Sequence, residues 1–270
     1  MPIFSGQTAW VTGAGRGIGR AAALTLAELG AAIAASARTR VEVDEVAGEV
    51  RERGGRTASF VCDVSDWQAV IETLGQIEAT LGAVDVLVNN AGVLEPLARV
   101  WETPPREWAR VIEVNLIGAY HCARAVLPGM IERGRGAIVN ISSGAADTIA
   151  PNWSAYATSK AGLDQFTRSL GAELAGAGVH VVSLHPGLVD TAMLHTLRTA
   201  TPDRLPESRR QFYEKMAAKG RVIEPGVTAR VIAWLASDAA RDLNGTVVDA
   251  LNDPSVVERA RRFLDTAEHR

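Results

Sequence analysis

Short apolar, β-branched runs recur along the chain, each separated from the next by a longer stretch with helical periodicity, and this alternation restricts the fold more than any other feature. The runs cover residues 8–12, 32–36, 59–62, 84–89, 137–142, 180–184 and 246–250. The helical patterns cover 17–29, 41–53, 66–81, 106–133, 154–177 and 227–237. A strand that returns to its own sheet through a helix must run parallel to its predecessor, with a right-handed crossover, so helices come to cover both sheet faces. The expectation is an α/β fold: a doubly wound, seven-stranded parallel sheet (a Rossmann fold) in a single domain spanning 1–270. Such sheets bind ligands beyond the carboxyl ends of their strands, so the residues following each strand carry the functional information.

With 47% apolar and 22% charged residues, the chain has enough apolar surface for a large core and is not a disordered sequence. A net charge of −3 with scattered Lys and Arg gives no field for a polyanion, so nucleic acid is not an expected partner. No apolar stretch approaches the roughly 20 residues of a membrane span and residues 1–11 hold no basic leader, so a cytoplasmic protein without a membrane partner is expected. Cys62 and Cys122 suit neither a disulfide framework nor a metal pair, and no His or Cys cluster has ligand spacing, so no catalytic metal is expected. His121, His180 and His269 read as structural, whereas His185 and His195 could face the site.

The first strand runs into Thr12-Gly13-Ala14-Gly15-Arg16-Gly17-Ile18-Gly19, with a helix directly after. Glycines permit positive φ and close backbone approach, and a helix start offers unpaired N–H groups, so this turn can cradle a phosphate. It departs from G-x-G-x-x-G because Ile18 stands where the third glycine would be, which leaves a plain tight turn as the other reading.

Thr-Gly-x-x-x-Gly-x-Gly, followed in order by Asn89-Asn90-Ala91-Gly92, Asn115, Ser142-Ser143, Tyr156-Ala157-Thr158-Ser159-Lys160 and Pro186-Gly187, resembles the short-chain dehydrogenases/reductases, in their 3-oxoacyl reductase-like branch. The resemblance covers residues 5–250. It implies that Gly13, Gly15, Arg16, Gly17, Ile18 and Gly19 form a nicotinamide-dinucleotide cradle. It also puts Asp63 and Val64 at the adenine and makes Asn90, Ala91 and Gly92 the wall at strand four. Pro186, Gly187, Val189 and Thr191 would meet the nicotinamide, Thr191 on its carboxamide. Asp63 reads equally well as a turn or capping residue.

The same resemblance makes Tyr156 the proton-transfer residue and has Lys160 hold the nicotinamide ribose. It makes Ser143, 13 residues before Tyr156, the hydroxyl that polarises the substrate carbonyl, with Ser142 as the neighbouring alternative. Asn115 would hold, through its backbone carbonyl, a water linking Lys160 to solvent. The implied activity is NADP(H)-dependent reduction of a carbonyl, or oxidation of the matching secondary alcohol. The rivals are an NAD-dependent alcohol or sugar dehydrogenase and, more distantly, a dinucleotide sensor without chemistry, which would be expected to have lost Tyr156 or Lys160. Relatives pair through the helices around Asn115 and Tyr156, so a homo-oligomer, dimer or tetramer, is implied.

Two further readings are physical. The second strand ends in Ser36-Ala37-Arg38 with no acid to take the ribose 2′-OH, and a guanidinium grips a 2′-phosphate, so NADP is favoured over NAD, and the resemblance implies Arg16 as a second cation. Arg38 could instead simply begin the next helix in solvent. Tyr156 and Lys160, four apart on a helix, share a face. A phenol needs about three pKa units, roughly 4 kcal/mol, of stabilisation to ionise at neutral pH, and an adjacent ammonium supplies much of it.

Elsewhere the sequence departs from its relatives or says little. The serine loop reads Ser143-Gly144-Ala145-Ala146, and the last strand lacks a glycine pair, reading Val248-Asp249-Ala250-Leu251. Residues 192–220 are expected to form a variable lid over the substrate. Trp153, Met193 and Leu194 are either its apolar wall or core. The tail over 253–270, with Asp253 as cap and Pro254 in the first turn, should form an amphipathic helix through Val256, Val257, Ala260, Phe263 and Leu264.

Overall fold

The computed structural model describes residues 2–201 and 203–268, and His269 lies outside them. Seven strands form one parallel sheet in the order β3-β2-β1-β4-β5-β6-β9. They are β1 (Thr8–Thr12), β2 (Ala32–Ala37), β3 (Thr57–Val61), β4 (Val84–Asn89), β5 (Gly136–Ile141), β6 (Val179–His185) and β9 (Val247–Asp249). The strand order reverses between β1 and β4, which pair in parallel, so a crevice opens above their carboxyl ends.

The inner strands β1, β4, β5 and β6 are buried on both faces, and the edge strands β3 and β9 are only partly covered. Ala9, Val11, Ile33, Val86, Val139 and Val182 face one layer of helices, and Trp10, Ala34, Leu87, Ile138 and Val181 face the other. The first layer holds α1 (Gly17–Glu28), α2 (Arg40–Glu52) and α9 (Pro225–Leu235), and the second α3 (Trp67–Leu81), α5 (Gly118–Glu132) and α6 (Ser154–Glu173). Trp10 is fully buried yet satisfied, its indole N–H donating to Ser36 Oγ at 2.8 Å. Cys62 and Cys122 are buried free thiols. None of the helices among the described residues is long and apolar enough to cross a membrane.

The structure departs from the sequence pattern at four places. The span read as one helix is α4 (Pro105–Ile112), a π-helical turn (Glu113–Ile117) and then α5. α6 stops at Glu173 because Gly176 and Gly178, both at positive φ, turn the chain into β6. β7 (Leu188–Val189) and β8 (Val222–Ile223) form a second, two-stranded sheet too short to leave a periodic signal. Residues 192–220 carry two helices, α7 (Ala192–Thr199) and α8 (Glu207–Ala218).

The tail forms α10 (Pro254–Glu268), started by Asp253, whose Oδ1 accepts from the Ser255 amide and hydroxyl. Val256, Ala260 and Leu264 are buried, and the Arg259 guanidinium lies 4.7 Å from the Trp234 ring of α9.

Candidate active site

The end of β1 and the start of α1 are held together by close approaches that only glycine allows. Gly13 and Gly17 take φ of +61° and +55°. A Cβ at Gly19 would stand 2.3 Å from the Gly13 carbonyl oxygen, and one at Gly13 would stand 2.9 Å from Ala91 Cα. Asn90 clasps the turn, its Nδ2 donating to the carbonyls of Thr12 and Gly13 at 3.0 Å each. Thr12 Oγ1 accepts from the amides of Asn90 and Ala91 at 3.0 and 3.1 Å. The strand-end turns are thus fixed from both sides before any ligand arrives.

Above them runs a cleft of about 1540 Å³, lined by Gly13, Gly15, Arg16, Gly17, Ile18, Arg38, Asp63, Val64, Asn90, Ala91, Gly92 and Thr191. The same groove runs on along α1, past Leu24 and Glu28, to Arg261 and Leu264 of the last helix. Gly19 is buried and acts as a spacer beneath the cleft. Gly187, at φ +81°, packs against Leu251, and buried Val189 belongs to the small sheet, so the turn at Pro186 shapes the wall from behind. Thr191 caps α7, and its methyl would touch a Cβ at Gly17 at 3.2 Å.

Asp63 is more engaged than a free adenine contact. Its Oδ1 accepts from the Ser65 amide and hydroxyl at 3.0 and 2.7 Å, and its Oδ2 accepts from Arg110 at 2.6 Å. Burial raises its carboxyl, but the Ser65 hydrogen bonds and the Arg110 guanidinium outweigh that and hold it below the ordinary value. The cap of α3 is Asp66, not Asp63.

One carboxylate in this cleft has no counterpart in the sequence reading. Glu42, in the first turn of α2, lies against the glycine turn, and a Cβ at Gly15 would come 2.7 Å from its Oε2. Among the described residues it makes no ion pair with Arg16 or Arg38 within 4.0 Å. Its position four residues after Arg38 was the only sequence signal.

On α6, Tyr156 and Lys160 are both buried, with the Lys160 ammonium 5.7 Å from the Tyr156 ring centroid. Lys160 Nζ donates to the Ile141 carbonyl at 2.7 Å. Burial lowers its pKa to about 8, against the opposing pull of the Asp164 carboxylate. Burial raises the Tyr156 phenol, and a hydrogen bond with Ser143 works the other way. Ser143 Oγ also accepts from the Ala145 amide at 3.1 Å, whereas Ser142 Oγ is spent on the Lys160 carbonyl at 3.2 Å. Of the two serines, Ser143 is the one whose hydroxyl meets the phenol. Met193, which lines the cleft, puts its sulfur 3.9 Å from the Tyr156 hydroxyl, while Trp153 and Leu194 are buried in the cluster around it.

Asn115 sits in the π-turn, and its side chain is fully employed. It accepts from the Val93 amide at 2.8 Å and donates to the Val93 carbonyl at 2.9 Å and to Ser159 Oγ at 3.0 Å. It thereby ties the segment after β4 to α6.

Behind Lys160 lies a second buried group. Asp164 Oδ2 pairs with His185 Nε2 at 2.7 Å, and Oδ1 accepts from Ser183 Oγ at 2.6 Å. Burial raises the Asp164 carboxyl, and the His185 and Ser183 hydrogen bonds overcome it and hold it low. Asp147, Asp164 and His185 bring possible ligand atoms within 4.8 Å of one another, a proximity invisible in sequence because the three stand on different elements. His195 is exposed, and the rings of His121 and His180 meet the carbonyls of Val64 and Leu235.

Comparison with known proteins gives the family and the fold. The family model described as short chain dehydrogenase matches residues 7–202. The chain is 36% identical over 242 residues to the 2-dehydro-3-deoxy-L-rhamnonate dehydrogenase (NAD(+)) of Sphingomonas sp., covering 87% of this chain and 90% of that protein. It is 34% identical over 247 residues to the 3-oxoacyl-[acyl-carrier-protein] reductase of Thermotoga maritima, covering 91% and 96%. The crystal structure of gox2181 superposes with a TM-score of 0.83 at 28% identity, covering 91% of this chain and 94% of that one.

Proposed function

The chain belongs to the short-chain dehydrogenase family of oxidoreductases, and from that premise we propose that it is NADP(H)-dependent and interconverts a carbonyl and its secondary alcohol, with Tyr156 moving the proton. The observation that carries this reading is the gathering of the Ser143 hydroxyl and the Lys160 ammonium, the latter 5.7 Å from the ring centroid, around the Tyr156 phenol, whose hydroxyl lies 3.9 Å from Met193 in the wall of the cleft.

When bound, the nicotinamide group gives or takes the hydride. The residues of the chain do the rest. Gly13, Gly15, Arg16, Gly17 and Ile18 supply the cradle and the backbone N–H groups at the start of α1, with Gly19 packed beneath them. In reduction Tyr156 donates its proton to the substrate oxygen, and Ser143 hydrogen-bonds that oxygen as charge develops on it. Lys160, cationic one helical turn away, stabilises the phenolate that remains. Met193 and the buried cluster with Trp153 and Leu194 exclude water from the phenol.

Arg16 and Arg38 line the cleft and support NADP, since each offers donors to a 2′-phosphate. Glu42 supports a second reading, use of NAD, because it brings to the same region the carboxylate that the end of β2 lacks. The variant Tyr156→Phe should lose reduction of every accepted ketone while binding NADPH with unchanged affinity in a fluorescence titration. Retained turnover removes Tyr156 from the proposed role. Arg38→Asp should swing the NADPH/NADH ratio of kcat/KM toward NADH by at least about tenfold, and Glu42→Gln should move it the opposite way. An unchanged ratio in both variants sinks the NADP assignment.

A further inference from the structure

The buried cluster around Tyr156 holds a hydrogen-bond donor that has found no acceptor. Trp153 is 5% exposed, and its indole N–H is buried without a hydrogen-bond partner among the described residues. An indole N–H can only donate, and burying a donor unpaired is costly, so such groups usually mark a ligand or a water. The Trp153 ring stands edge-on to Tyr156, centroids 5.9 Å apart.

Over the same indole lies a cation without an anion. The Arg209 guanidinium of α8 is 5.8 Å from the Trp153 ring centroid and 5.9 Å from that of Phe212, and the side chain is half-buried. Its neighbours in sequence are paired, Arg204 with Glu95 and Arg210 with Glu207. Arg209 makes no ion pair with any carboxylate among the described residues. Tyr213 belongs to the same buried cluster as Trp153 and Tyr156, its ring 5.5 Å from that of Phe212, which Arg209 also covers. Tyr213 is buried on α8; burial pushes its phenol far up, Arg209 pulls against that, and the Tyr156 phenol adds to it, so Tyr213 is within electrostatic reach of both.

We propose that Arg209, the Trp153 indole N–H and the Tyr213 hydroxyl form the carboxylate-binding end of the substrate site, so that the substrate is an oxo acid or hydroxy acid rather than a neutral ketone or alcohol. This rests on the reading of Tyr156 as the group that meets the reacting oxygen. A carboxylate is the anion that a guanidinium fork grips through two parallel hydrogen bonds, and it has further lone pairs for the indole and the phenol. Trp153 stands beside both Arg209 and Tyr156, 5.8 and 5.9 Å from its ring centroid, so a substrate reaching both needs a short chain between its carbonyl and its carboxylate. That spacing favours γ- and δ-oxo acids over α-oxo acids.

The test uses a matched pair of probes, 5-oxohexanoate and its methyl ester, reduced with NADPH. The unaltered protein should prefer the acid by at least about tenfold in kcat/KM. Arg209→Leu should abolish the preference by raising KM for the acid far more than for the ester, Arg209→Lys should recover part of it, and Trp153→Phe should cost the acid more than the ester. Equal use of acid and ester by the unaltered protein overturns the proposal, as does an Arg209→Leu variant that loses both substrates alike. If neither probe is reduced, calorimetry of the acid against the complex of the unaltered protein with NADP⁺ decides. Binding that disappears in Arg209→Leu upholds the anion site and counts against the reductase reading, and no binding at millimolar acid overturns the anion site while leaving Tyr156 to be judged on other ketones.

Discussion

Lys160 works under opposing influences that can be separated by mutation. Its pKa, lowered by burial to about 8 from 10.5, means that the folded protein disfavours the cation, which is lost as pH rises through about 8. Reduction needs both the protonated phenol and the cationic lysine, so kcat/KM for reduction should fall above about pH 8 in the ligand-free enzyme's profile. Asp164, four residues on, works against that loss. Asp164→Asn should therefore move the fall to lower pH by up to about one unit, equivalent to roughly 1.4 kcal/mol. A profile that does not move means Asp164 acts only as scaffold for His185 and Ser183. At this scale legibility divides along a physical line. The nearness of Tyr156 and Lys160 could be read because they lie one helix turn apart, whereas Ser143 came only from the resemblance to the family. Glu42, the Asp164–His185 pair and Arg209 could not, because the partners that give each its meaning are on other elements.

Among the elements, the glycine turn was legible down to single positions, since its chemistry is local. What the sequence could not show was that Gly19 serves packing beneath the cleft rather than lining it. Gly19→Ala drives a methyl into the Gly13 carbonyl, so it should destabilise the fold by about 1–3 kcal/mol and weaken NADPH binding together. Denaturant melts and a dinucleotide titration on the same sample would check both, and normal values for both would mean that the turn is softer than its contacts imply. The π-turn at Asn115 escaped notice because one inserted residue barely disturbs helical periodicity over a span of this length. β7 and β8, two residues each, escaped because a period of two cannot be counted in two residues.

For the whole molecule, alternation alone was enough to give a parallel doubly wound sheet, whereas the order β3-β2-β1-β4-β5-β6-β9 had to be seen, since the pattern fixes crossovers and not which edge grows. The surface adds an expectation about assembly. Trp67 and Ile71 of α3, Ile117 of the π-turn and Tyr120 of α5 are each more than a third exposed. A dimer or tetramer should be seen by light scattering, and Tyr120→Glu should shift it toward monomer; a monomer at micromolar concentration would rule this out. The last helix bears on the first in a way that can be timed. α10 rests on α9, and α9 rests on α1, whose opening turn is the phosphate cradle. Arg261 and Leu264 of α10 also line the groove that holds the cradle, so a ligand bound there is expected to steady the tail. Amide protons over residues 256–264 should then trade for deuterium more slowly once NADPH is added, even though those residues belong to the far end of the chain.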